Sequence, residues 1–438
     1  AWAWIRRARA LEGHPYRLVP VFAAAWVTVE QARSLWPFGG FPWGRLAFSQ
    51  TDAPLLALAS LGGAPLVSAV VAGCGALVAQ AWLDLRDRRT GRAGAAGLAT
   101  AALVGCGLLV VLPGPDDAGA AGESAASKTL RIAAVQGNVA RPGLDAFATR
   151  REVLRNHVAG TAAVVDDVGP GELDVILWPE NSADVDPRTD ALTARLIDDA
   201  ALDAGAPILV GTLRYDDRGR YNDAVLWVGG QGPVAEYTKQ HPAPFAEYIP
   251  MRGIARIFSN KVDLVRTDML PGTEVGVVPL PVERLGRTVP LADVICFEVA
   301  YDSLVRDAVL AGGEIIVVQT NNASFGLTPE STQQLAMTRL RAVEHGRTAV
   351  QISTVGVSGI FGPDGSVRER TGLFTAEQMV DEVPLRTTVT VADRLGDWPL
   401  WIAAAVTAVA LAAGLAAGSR RAGVDNADAL KETVGRTP

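Results

Sequence analysis

The sequence predicts an α/β domain inserted between transmembrane α-helices. Three observations carry this reading. Charge vanishes from three long stretches, residues 53–83, 93–115 and 398–419, while Arg clusters flank them. Between the second and third stretches, charges return and short β-rich runs alternate with helical ones. The whole chain of 438 residues is 49% hydrophobic and 20% charged, which excludes disordered, collagen-like and coiled-coil classes and leaves room for two or three domains.

Each uncharged stretch can cross roughly 30 Å of hydrocarbon at about 1.5 Å per residue. All three are rich in Ala, Gly, Leu and Val, and small residues let membrane helices approach closely. The plainer alternative is a buried helix in a soluble core, which three such runs flanked by Arg and Trp do not fit as well. A fourth span is expected from residue 18 onward, where an apolar run meets Glu30 and Arg33 before Leu35, Trp36 and Phe38. Such an ionisable pair is tolerated near a helix end if it faces other helices.

Arg6, Arg7 and Arg9 precede the first span, Arg86, Arg88, Arg89 and Arg92 lie between the second and third, and Arg420 and Arg421 follow the last. Four spans put all three clusters on one side, the cytoplasm, and put the segment before the last span outside. Trp36, Trp43, Trp82, Trp398 and Trp401 sit at span ends, where an aromatic belt belongs. The expected order is a membrane domain over 1–115 with about three helices, a linker over 116–127, and an extracytoplasmic catalytic domain over 128–397. A C-terminal membrane helix over 398–419 and a disordered cytoplasmic tail over 420–438 complete it. The first residue is Ala, so the numbering is expected to start inside a longer gene product, and no signal peptide can be read.

Within the insert, residues 130–136, 174–178, 207–213, 224–228, 294–297, 315–320, 349–353 and 357–361 read as strands. Residues 146–165, 190–204, 302–311 and 331–344 read as helices. Gly362-Pro363-Asp364-Gly365 reads as a turn between hairpin strands. The alternation implies near-continuous apolar strands buried on both faces.

The net charge of −7 argues against nucleic acid as a partner. Three cysteines build no disulfide framework, and four histidines make a multi-His metal site unlikely to form, so no metal and no organic cofactor is expected.

Three segments could carry chemistry. Asp174-Val-Ile-Leu-Trp-Pro-Glu180 runs an apolar strand into a carboxylate, and desolvation there raises a carboxyl pKa toward that of a general base. Taken alone, Glu180 could equally cap a helix or face solvent. Tyr237-Thr-Lys239 opens a loop kept from helix by Pro242, Pro244 and Pro250. The chain has 36 arginines and four lysines, so a Lys retained at 239 suggests a need for a compact ammonium, although a surface Lys remains the alternative. Leu291-Ala-Asp-Val-Ile-Cys296-Phe-Glu298 ends an apolar strand at Cys296, where a thiol meets backbone N–H groups. A lone Cys in a strand is otherwise a small buried hydrophobe.

The order Glu, Lys, Cys in one α/β domain resembles the nitrilase superfamily of carbon–nitrogen hydrolases, and the words Trp178-Pro179-Glu180, Tyr237-Thr-Lys239 and Cys296-Phe-Glu298 match it. Ala134-Val-Gln-Gly-Asn138 and Thr320-Asn-Asn-Ala-Ser-Phe325 also look like that superfamily. With the membrane runs, the chain resembles the bacterial apolipoprotein N-acyltransferase family over about residues 18–418. Gly40-Phe-Pro-Trp43 with Phe48-Ser-Gln50, Pro244-Phe-Ala-Glu247-Tyr-Ile-Pro250 and Val299-Ala-Tyr301 carry this. Ala246 replaces the family's Gly, residues 139–145 lack a Trp that members often have, and the family's first N-terminal helices are expected to be missing.

The resemblance implies a nitrilase-like α-β-β-α sandwich between transmembrane helices, in a multi-pass protein of the inner membrane. It implies transfer of a phospholipid acyl chain, through a thioester on Cys296, to the α-amino group of a diacylglyceryl-apolipoprotein. Glu180 would be the base, and Lys239 with a backbone N–H after Cys296 would stabilise the oxyanion. Glu247 would hold Lys239 or orient the second amine, Glu298 would support the loop, and Phe297 would be a further supporting residue. Two other functions stay open at this point: a membrane-anchored amidase acting on small amides, and a non-catalytic scaffold that binds acylated proteins.

Overall fold

A computed structural model describes residues 1–8, 10–117, 128–139 and 151–434, with side chains up to Ser419. Among the described residues twelve strands form two six-stranded sheets. The first contains β1 (Thr129–Gln136), β2 (Val175–Leu177), β3 (Ile208–Tyr215), β4 (Arg220–Val228), β5 (Gly232–Thr238) and β12 (Glu377–Pro384), in the order β12-β1-β2-β3-β4-β5. The second contains β6 (Val277–Val282), β7 (Arg287–Ile295), β8 (Ile315–Thr320), β9 (Ala349–Ser353), β10 (Gly359–Phe361) and β11 (Val367–Arg370), in the order β11-β10-β9-β8-β7-β6. The sheet centres are parallel, β1-β2-β3 and β7-β8-β9, and the flanks are antiparallel.

Period-two alternation sorts each strand between two cores. Leu130, Ile132 and Ala134 of β1 meet Leu291, Ile315, Val317 and Val350 between the sheets. Ala133 and Val135 face the other way, toward the helices Glu152–Val168 and Ala191–Ala204. On the far side Ala292, Val294, Ile316 and Val318 pack beneath the helices Asp302–Leu310 and Glu330–His345. The result is an α-β-β-α sandwich. Its second helical layer shares a core with Phe48, Leu55, Leu56, Ala59 and Val67 of the N-terminal helical segment, so the two parts pack as one body.

The four strands that the apolar pattern misses are β5, β6, β11 and β12, the outer strands of the two sheets. Edge strands need not be apolar on both faces and they accept proline, as Pro279 and Pro281 in β6 show. The expected strand 294–297 stops at Ile295, and residues Cys296–Ala300 turn as a 3₁₀ helix. The turn at 362–365 does join an antiparallel pair, β10 and β11. The helix expected over 146–165 is described from Glu152 to Val168, and residues 146–150 lie outside the described residues. So do 118–127 of the linker and 140–145 of the Trp-lacking stretch.

Three helices among the described residues are long and apolar enough to cross a membrane: Pro54–Arg86, Thr90–Leu109 and Trp398–Ser419. The fourth expected span, Leu18–Leu35, falls outside this set, because Glu30 and Arg33 dilute its apolar character. The structure shows a use for Glu30. It is buried, and its Oε1 accepts from Trp26 Nε1 at 2.8 Å and from Leu46 N at 2.9 Å, tying the following loop to the helix. The last helix continues to Val434, where a disordered tail is expected from the sequence. Residues 420–434 contain no proline, the residue that most strongly breaks a helix, although Gly423 and Asn426 weaken its local helix preference.

Candidate active site

Glu180, Lys239 and Cys296 follow β2, β5 and β7, and the sheet packing brings these three strand ends together. Lys239 is fully buried and Glu180 is 3% exposed, which removes the surface readings of both. Lys239 Nζ donates to Glu247 Oε1 at 2.7 Å and to Glu180 Oε1 at 3.3 Å. Glu180 Oε1 also accepts from Asn222 Nδ2 at 2.6 Å, and its Oε2 accepts from Asn321 N at 3.0 Å. Glu247 Oε2 accepts from Ala243 N at 2.6 Å, closing the 239–247 loop on itself. Burial opposes the Lys239 charge, but the two carboxylates outweigh it and hold its pKa above the ordinary lysine value.

Cys296 sits at the tip of β7 with φ 55°, a left-handed backbone that a non-Gly residue adopts only under constraint. Its side chain is partly buried. Thr320 Oγ1 and Gln334 Nε2 each lie 3.5 Å from Sγ. Burial and the nearby Glu180 push the thiol up to about 12, Lys239 pulls it down, and Glu247 adds to the rise. The resting group is therefore a neutral thiol, and a base must take its proton before it can attack.

Glu298 lies apart from this chain of charges. It is fully buried, and it accepts from Tyr237 Oη at 3.0 Å, Gln240 N at 2.6 Å, His241 N at 3.0 Å and Ile295 N at 2.7 Å. It thus clamps the Lys239 loop against the strand that delivers Cys296. Burial raises its pKa, against Lys239 and these backbone donors.

Phe297 builds a wall. Its ring stacks on Trp43 at 6.0 Å and 9°, and Phe41 and Tyr301 lie 5.5 Å away. Trp43 belongs to the segment before the first long apolar helix. That segment is pinned where Tyr248 Oη donates to Phe38 O at 2.8 Å, Tyr301 Oη to Gly39 O at 3.0 Å, and Trp43 Nε1 to Gln333 Oε1 at 2.7 Å. The N-terminal segment that precedes the long apolar helices therefore supplies one side of the surroundings of the Cys296 turn.

Of the six expected site residues, Glu180, Lys239 and Glu247 form one hydrogen-bonded cluster whose charges act on Cys296, Glu298 clamps the loops beside it and Phe297 packs in the aromatic wall. Asn222, Thr320 and Gln334 were not anticipated as partners. Asn222 stands beside Asp223 at the polar start of β4, just ahead of the apolar run 224–228, and Gln334 gave no signal. Among the described residues no group of three or more His, Cys, Asp and Glu could hold a metal ion.

A carbon–nitrogen hydrolase family model matches residues 131–393, and the chain belongs to that family. A model for the apolipoprotein N-acyltransferase N-terminal domain matches residues 1–77. Relatives are the apolipoprotein N-acyltransferases of Mycolicibacterium smegmatis and Azotobacter vinelandii. The first is 38% identical over 365 residues, covering 80% of this chain and 60% of the relative. The second is 29% identical over 412 residues, covering 91% of this chain and 74% of the relative. The chain thus spans less than two thirds of the mycobacterial protein. Among solved structures, Saccharomyces cerevisiae Nit3, of the nitrilase superfamily, aligns with a TM-score of 0.43 at 12% identity, over 63% of this chain and 93% of that one.

Proposed function

We propose that this chain is a membrane N-acyltransferase that moves a fatty acyl chain from a phospholipid to the α-amino group of a diacylglyceryl-cysteine at the N-terminus of an apolipoprotein. The observation that carries this is the joint construction of the site: a buried Glu180–Lys239–Cys296 cluster walled by Trp43 from the membrane segment. The names of its relatives point the same way. Both substrates carry acyl chains, and lifting these into water would cost about 0.8 kcal/mol per CH₂, so a site fed from the bilayer is the economical arrangement.

In the first half-reaction Glu180 takes the Cys296 proton, and Sγ attacks the ester carbonyl of the phospholipid. Lys239 Nζ and the Phe297 N–H stabilise the oxyanion. The ester C–O bond breaks, Glu180 returns the proton to the departing alkoxide, and the lysophospholipid leaves an acyl thioester. In the second, the acceptor amine attacks the thioester, gives a proton to Glu180, and the C–S bond breaks to restore the thiol. Glu247 keeps Lys239 in place, and Glu298 holds the two loops in register.

In this reading residues 1–115 form a membrane domain, 116–127 a linker, 128–397 the catalytic domain and 398–419 a last span of a multi-pass inner-membrane protein, with catalysis on the extracytoplasmic side. The Arg clusters support that orientation. The test offers the purified chain phospholipid vesicles with a diacylglyceryl peptide, beside a short soluble amide. Amide-linked acyl peptide is expected. Amide hydrolysis without transfer would establish an anchored amidase instead.

A further inference from the structure

The Glu330–His345 helix carries Arg341, whose guanidinium is fully buried. Nε donates to Val299 O at 2.9 Å and Nη2 to Ala300 O at 3.0 Å. These carbonyls end the Cys296–Ala300 turn. Nη2 also lies 2.9 Å from Asp302 Oδ1, and Nη1 pairs with Glu344.

Both acidic partners reach on into the membrane segment. Asp302 pairs with Arg45, which donates in turn to Gln31 at 3.0 Å. Glu344 Oε1 accepts from Ala64 N at 3.3 Å. Ala64 follows a break in the long apolar helix, where Gly63 stands at φ 67° and ψ −171°, backbone that only glycine adopts readily. A Cβ on Gly63 would lie 2.4 Å from Glu344 Oε1.

We propose that Arg341 is a positioning residue for acyl transfer: it braces the Cys296 turn from behind, and the membrane segment sets its place through Asp302 and Glu344. This rests on the reading of Cys296 as nucleophile. Cys296 holds a left-handed backbone, and such a residue keeps its geometry only where its surroundings fix it. Glu298 fixes the entry to the turn by accepting from Ile295 N. Arg341 fixes the exit. Its rigid fork of N–H donors serves two carbonyls and the Glu344 carboxylate while its charge faces Asp302, an arrangement that a lysine's compact ammonium on a flexible stem does not reproduce. The network is charge-balanced, with Arg45 and Arg341 against Asp302 and Glu344, and all four side chains are at most 13% exposed. A shift of the helix at Gly63 therefore moves Glu344, then Arg341, then the nucleophile turn.

The experiment compares the full chain in phospholipid vesicles with Arg341→Lys, Gly63→Ala and Cys296→Ser. It reads single-turnover acylation of residue 296, KM for phospholipid and the melting temperature. Arg341→Lys and Gly63→Ala are each expected to slow acylation roughly 10- to 100-fold, the scale of a small misplacement of reacting groups, with KM within about twofold. If Arg341→Lys does not fold, Gly63→Ala decides, because it changes a membrane helix and no residue at the site. Parent acylation rates in the folded variants, with Cys296→Ser inactive, would overturn the proposal. So would a raised KM at an unchanged rate, which would make the network a membrane-docking contact only. Turnover by Cys296→Ser would instead remove the nucleophile reading on which the proposal stands.

Discussion

Replacing Lys239 by Met tests the site most sharply, because the structure predicts two separable effects. Lys239 Nζ is the shared counter-charge of Glu180 and Glu247, at 3.3 and 2.7 Å, and it is fully buried. Removing one partner of a buried ion pair costs about 3–5 kcal/mol, because it strands the other. Here the variant leaves two carboxylates facing each other without a cation. The variant should therefore melt below the parent at both pH 5 and pH 8. Catalysis should fall separately, by about 10²–10³-fold for one lost oxyanion donor. Adding Glu247→Gln removes the stranded charge, so the double variant should regain much of the melting temperature but none of the acylation rate. The assay pairs thermal unfolding at the two pH values with single-turnover acylation. Parent-like acylation by the double variant would show that Lys239 serves only as a structural counter-ion.

Cys296→Ser should abolish the thioester, while Cys74→Ala and Cys106→Ala, both in helices of the membrane segment, should leave acylation unchanged in the same mass assay. Because burial pushes the Cys296 thiol up to about 12, its alkylation by a small neutral reagent should keep rising from pH 7 through pH 10; a plateau near pH 7 would mean a stable thiolate instead. A reporter fused after Ser127 should be active outside the cytoplasm and one after Arg421 inside, and the reverse pattern would refute the orientation.

The sequence made the layered centre legible because the parallel strands β2, β7, β8 and β9 are buried on both faces and carry apolar runs such as Val175–Leu177 and 315–318, and the ends of β2 and β7 carry the unusual residues. It hid β5, β6, β11 and β12 because edge strands answer to only half of that pattern. Glu180, Lys239 and Cys296 were visible as anomalies of position: a carboxylate after a buried strand, a rare Lys, a lone soluble-domain Cys. Asn222, Thr320 and Gln334 were not, since ordinary polar residues become site partners only through packing between β4, β8 and a helix. Glu30 and Arg33 have a use the sequence does not show: they sit in the helix expected as a span, and Glu30 also secures the loop that carries Trp43 toward Phe297.

The central claim is that Cys296 carries the acyl group between donor and acceptor. Intact-mass and peptide mass spectrometry of the chain, incubated with phospholipid and no acceptor, tests it directly. One acyl adduct on Cys296 is expected, which hydroxylamine releases and a diacylglyceryl peptide discharges. Acyl peptide formed at full rate with Cys296 never modified would contradict it.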